Sequence, residues 1–175
     1  RVGYAQDFDK GGEAIAYALY VLAANGKAAI GDLRYYAETK LANFATPLAQ
    51  AQIGAALALY GDKARAANVF KVAVENVRAG YGPTASHRED YGSFLRDQAA
   101  VLTLVAESND SAIDRKALVD EIVSTRDLRR FISTQEQPHL VAQPPRGAGR
   151  SALDRGEPCS AASFRFSRGA VAAGI

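Results

Sequence analysis

Residues 46–80, TPLAQAQIGAALALYGDKARAANVFKVAVENVRAG, spell out two helices and the turn between them. Thr46-Pro47 combines an N-cap hydroxyl with a proline at the first helical position, where the missing N–H costs nothing. Ile53, Ala56, Leu57 and Tyr60 then recur at helical spacing until Gly61 ends the run. Asp62 offers a second cap, and Ala66, Val69, Phe70, Ala73, Val74 and Val77 line one face as far as Gly80. So short a break leaves the two helices antiparallel, which predicts a helical hairpin at 47–60 and 63–79.

The same signals extend outward. Ile15, Ala18, Leu19 and Leu22 predict a helix near 12–24 that stops at Asn25-Gly26. Asp32 is a cap candidate for a second helix near 33–44, with Leu33, Tyr36, Ala37, Leu41 and Phe44 on one stripe. Residues 80–92 hold three glycines and a proline without helical period and read as a loop or small hairpin. From Ser93, Leu95, Ala99, Leu102 and Ala106 take one side of a fifth helix and Val101, Leu104 and Val105 another, so it is buried on two faces. A sixth helix after Asn109-Asp110 carries Leu118, Val119, Ile122 and Val123. Ser133 and Glu136 form a capping box that opens a seventh, but Pro138 falls at about its fifth position, where proline costs about 3 kcal/mol and breaks the helix. The class is all-α, with helices pairing one to two, three to four and five to six into a ring of hairpins or an open solenoid.

Composition narrows the function. At 175 residues with 48% apolar and 23% charged side chains, the chain can form one globular domain. A net charge of +2 lacks the electrostatic footprint of a nucleic-acid binder. Cys159 is the single cysteine, and His87 and His139 lie far apart, so neither a disulfide framework nor a metal-ligand cluster is expected. No run approaches the roughly 18 apolar residues of a membrane span. The chain opens on Arg1 rather than methionine and is expected to be a piece of something longer. After Gln137 the periodicity disappears. Four of the six prolines fall there, with five arginines against two acids, so residues 138–175 are expected to form a poorly ordered, disordered tail behind a domain of residues 1–137. Its Arg/Pro/Gly/Ala/Ser mixture is what GC-rich codons read out of frame would encode.

Candidates for chemistry are few. Ser86, His87, Glu89 and Asp90 hold the residue types of a nucleophile–base site, but such close neighbours in one loop do not face one another. Arg96-Asp97 reads as a pair tying a helix start to the preceding loop rather than half of an acid/base site. Tyr4, Tyr17, Tyr20, Tyr35, Tyr36 and Tyr60 would suit the aromatic pocket of a helical isoprenoid-processing enzyme, but the acidic clusters or zinc ligands of such a site are missing, leaving helix packing as their role. A tetratricopeptide-like protein-binding module is the alternative architecture, although hairpin spacings of about 34 and then about 46 residues do not hold a constant pitch. No catalytic, cofactor-binding or metal-ligating residue is assigned.

Three segments carry a family resemblance: GDLRYYAETKLANFATPLAQAQIGAALALYGDKARA at 31–66, DYGSFLRDQAAVLTLVAES at 90–108, and FISTQEQ at 131–137. With YGS-x-x-RD and STQEQ as its most specific parts, residues 13–137 resemble the thioester-domain region of the bacterial alpha-2-macroglobulin family. The resemblance implies a partial α/α toroid of about six helices in antiparallel hairpins, part of a large periplasmic protease trap often tethered to the inner membrane. It implies proteases and the parent chain's other domains as partners, a scaffold rather than an enzyme, and no cofactor. The family's thioester is made by Cys-x-Glu-Gln, which does not occur here: Gln135-Glu136-Gln137 lacks the cysteine, and Cys159 is followed by Ser160-Ala161-Ala162.

Overall fold

A computed structural model describes Phe8 and residues 11–80, 92–109 and 112–141, all within one contact unit spanning residues 1–143. The expected loop at 81–91, its Ser86 and His87, the tail beyond residue 141, Tyr4 and Cys159 lie outside the described residues. The described part is helical: α1 Glu13–Ala24, α2 Ile30–Thr39, a 3-10 turn Leu41–Asn43, α3 Pro47–Leu59, α4 Lys63–Ala79, α5 Phe94–Glu107, α6 Arg115–Asp127 and α7 Gln137–Val141.

The decisive hairpin forms as read. Thr46 accepts a hydrogen bond from the Ala49 amide at 3.2 Å, with Pro47 behind it. At the far end the amides of Gly61 and Asp62 return to the carbonyls of Ala58 and Leu57, an αL stop made at φ 78°. The first helix closes in the same way, with Gly26 and Lys27 bonding back to Ala23 and Leu22. α3 is buried on every side, its surface made of Ala49, Ala51, Ala55 and Ala56 with Ile53 and Leu57. α4 presses on α3 at Gly54: a Cβ built there would stand 3.2 Å from the Phe70 ring and from Val69.

This small-residue surface lets α3 lie against α1, α2, α4 and α5 at once. α5 is the second central helix, buried from Leu95 to Leu102 and again at Leu104 and Val105, and packed on α3, α4, α6 and α7. The odd-numbered helices α1, α3 and α5 form a continuous row. α2, α4 and α6 back onto it, with Arg78 of α4 reaching Glu121 of α6 at 3.0 Å. Two layers of helices that alternate along the chain form an arc of an α/α toroid. α1 takes α3 as its main partner, so the expected pairing of helices one and two gives way to packing along the inner row.

Three local expectations need correction. The second helix starts at Ile30 with Ala29 as its cap, and Asp32 sits in the first turn, where its charge faces the positive end of the helix dipole. It ends at Thr39 rather than near 44. Thr39 Oγ1 donates back to the Tyr35 carbonyl at 2.7 Å, and buried Gln50 donates to the carbonyls of Leu41 and Phe44 released by the break. That break carries Phe44 inward to meet Phe8 and Tyr36, ring centroids 5.1 and 6.0 Å away, over Gly12, whose φ of 76° and closeness to both phenylalanine rings leave no room for a side chain. Asp62 is the N-cap residue of α4, as read, and Arg34 and Arg65 hold its carboxylate at 3.0 and 3.1 Å. Finally, Pro138 does not stop the last helix. Residues 134–136 form a turn and regular helix begins at Gln137, so the proline occupies the first turn, where no intrahelical donor is lost.

Replacing Gly54 by valine should lower stability by about 1–3 kcal/mol through overpacking against Phe70 and Val69, measured as a drop in thermal midpoint. An unchanged midpoint would show that the α3–α4 contact yields freely.

Candidate functional site

The two most specific motif segments come together at the N-terminal end of α5. Ser93, the α5 cap, accepts from the Arg96 amide at 3.1 Å and donates its hydroxyl to Glu136 Oε1 at 2.5 Å. Glu136 Oε1 also receives Arg129 Nη1 at 2.6 Å, and Oε2 receives the Ser133 amide at 2.7 Å, while the Glu136 amide reaches Ser133 Oγ at 3.3 Å. The capping box is therefore reciprocal, and its carboxylate is shared with a helix 43 residues earlier in the chain. Glu136 is 2% exposed. Burial alone would raise its pKa, but the hydrogen bonds from Ser93 and Ser133 and the charge of Arg129 outweigh it and hold the carboxyl below its usual range.

One turn along, Arg96 grips Asp97 Oδ1 with Nε and Nη2 at 3.1 and 2.9 Å, and both residues are buried. His139 of α7 lies half-buried within reach of their charges. Burial first and the Arg96 cation second push its pKa down, only partly offset by Asp97. At neutral pH the cluster thus holds two carboxylates, two guanidinium groups and an uncharged imidazole. Among the described residues, its hydrogen bonds join the start of α5 to the segment that opens α7.

The other candidates are dispersed. Tyr36 is buried among aromatic rings, Tyr60 donates its hydroxyl to the Ala28 carbonyl at 2.7 Å, Tyr20 is half-buried with its pKa raised by burial and by Glu107, and Tyr17 is 59% exposed. They form no common pocket. No group of three or more acidic, histidine or cysteine side chains placed to hold a metal exists among the described residues, nor does any described helix have the length and apolarity to cross a membrane. Sequence reasoning found Ser93 as a helix start and Ser133–Glu136 as a box, but missed their link and the part played by Arg129. The capping spacing was the available signal for half of it, and no local pattern encodes a contact across 43 positions.

No family model matches the chain. Individual proteins do. It is 33% identical over 124 residues to alpha-2-macroglobulin of Escherichia coli (strain K12), a match covering 69% of this chain and 7% of that protein. Against alpha-2-macroglobulin of Xylella fastidiosa (strain 9a5c) it is 30% identical over 135 residues, covering 72% and 8%. Among solved structures, Salmonella alpha-2-macroglobulin reacted with methylamine superposes with a TM-score of 0.66 at 32% identity over 81% of this chain and 9% of that one. The native conformation of the E. coli protein gives 0.66 at 31% identity, again covering 81% and 9%. The arc of toroid is thus one that larger chains contain. In sequence and fold this chain is a relative of the bacterial alpha-2-macroglobulins, and it spans less than a tenth of their length.

Asp97→Ala should cost about 3–5 kcal/mol by leaving the Arg96 guanidinium buried without this carboxylate, and Ser93→Ala about 1–2 kcal/mol through loss of a cap and of a donor to Glu136. Urea denaturation measures both. Equal, negligible costs would show that the cluster contributes nothing to the joint.

Proposed function

We propose that this chain is a non-catalytic scaffold segment of the helical, thioester-type domain of a bacterial alpha-2-macroglobulin-like endopeptidase inhibitor. The supporting observation is the match, at TM-score 0.66 and 32% identity over 81% of the chain, to one region of a solved relative. The chemistry at α5 agrees with this role: buried Glu136 is taken up by Ser93 and Arg129, and buried Asp97 by Arg96. Relatives have been captured after reaction with methylamine and after activation by trypsin, so the partners inferred for the parent protein are proteases, together with its own remaining domains. By the same family likeness the parent works in the periplasm, with any membrane anchor outside this segment. A helical-repeat module is less well supported, since the inner-row helices begin at unequal intervals, Glu13, Pro47 and Phe94.

The edges of the arc suit a part of a larger body. The outer face of α1 offers Tyr17, Val21 and Leu22 to solvent, and the far edge offers Leu128 and Phe131. The test is to exchange the corresponding segment of the E. coli relative for residues 13–141 of this chain. The chimera should still respond to trypsin by retaining the protease, seen as a joint species on a native gel, whereas the isolated 175-residue chain should neither inhibit nor hydrolyse. A well-folded chimera that no longer retains trypsin, or hydrolysis by the isolated chain, would overturn the assignment.

A further inference from the structure

Residues 129–141 cross the start of α5 as a strap with few apolar attachments. Phe131 and Val141 are 81 and 83% exposed, and only Ile132, Leu140 and His139 are half-buried. Within the strap, Glu136 alone is fully buried. Its carboxylate joins both ends of the crossing, taking Arg129 and the Ser133 amide from the strap and the Ser93 hydroxyl from α5. α5 is the helix that α7 packs against. With two of the strap's four large apolar side chains facing water and the other two only half-buried, a buried charge-assisted network supplies much of what holds it.

We infer that Glu136 is an acid-sensitive fastener: removing its charge releases the 129–141 strap from α5 while the α1–α5 arc stays folded. Among the described residues, the charged and titratable groups around it are Arg129 and His139 on the strap and the Arg96–Asp97 pair on α5, whose charges act on His139. Both titrating groups push the same way. Glu136 has a lowered carboxyl pKa, so its contribution is fully present above the ordinary value of 4.5 and is lost as pH falls through the lower folded value. His139, also lowered, is uncharged when docked, and its contribution is present above 6.5 and lost as acid protonates it. Acidification therefore weakens the strap in two stages. Neither stage strengthens it.

The experiment is amide hydrogen exchange on the full chain, expressed as protection factors so that the intrinsic pH dependence of exchange cancels. The reporters are the amides of Ser133, Glu136, Gln137 and Leu140, which are hydrogen-bonded within the strap, with Leu102 and Val105 in α5 as internal controls. In Glu136→Gln at pH 7 the strap amides should lose about tenfold protection while α5 is unchanged. Arg129→Ala, at a more exposed position, should give a smaller loss in the same amides. His139→Gln should keep the strap protected at pH 7 and still release it below pH 4.5. Wild-type protection of the strap in Glu136→Gln at pH 7 would overturn the proposal. So would a loss spread equally through α3 and α5, which would make the carboxylate a general stability element rather than a local fastener.

Discussion

The fold depends on how closely other helices can approach α3. A helix that must touch four neighbours cannot carry bulky side chains on all sides, because interhelical distances of about 8–10 Å leave room for little more than alanine at most contacts. Ala49, Ala51, Ala55 and Ala56 meet that constraint, and Gly54 tightens it further beneath Phe70 and Val69. Large groups are supplied by the partners: Phe70 and Val74 from α4, Leu19 from α1, Leu95 and Leu102 from α5. Alanine is therefore more than a helix former here. It sets the spacing of the inner row from which the arc is built.

Legibility in the sequence followed the range of each interaction. The α3–α4 hairpin could be read almost to the residue because its signals are local: Thr46-Pro47 at one end, Gly61 between, Gly80 beyond. The second helix was misplaced where distant groups intervene. Nothing near residue 40 announces that Gln50 will accept the burden of the free carbonyls of Leu41 and Phe44, or that Phe44 is needed beside Phe8. Pro138 shows a related limit. Counted from the capping serine it falls too deep in the helix, but a turn at 134–136 absorbs the difference and regular helix starts one residue before it. Burial of α5 on more than one face was visible in its pattern, whereas the identity of the four helices around it was not.

The polar joint at α5 divides in the same way. Ser133 and Glu136 could be paired by their spacing, and Arg96-Asp97 could be recognised as structural by adjacency. The hydrogen bond from Ser93 to Glu136 is a tertiary fact, whereas Arg96 meets Ser93 only through its own backbone amide, one turn away. The Ser93–Glu136 bond joins the YGS-x-x-RD and STQEQ segments, since Ser93 supplies the donor and Glu136 the buried acceptor.

Asp62 carries a final consequence. Its carboxylate spans α2 and α4 by gripping Arg34 and Arg65 at 3.0 and 3.1 Å. The Asp62 side chain is only 10% exposed, and partly buried charges in direct contact are screened far less than separated surface charges. The tie between these two outer helices is therefore one that persists as ionic strength rises.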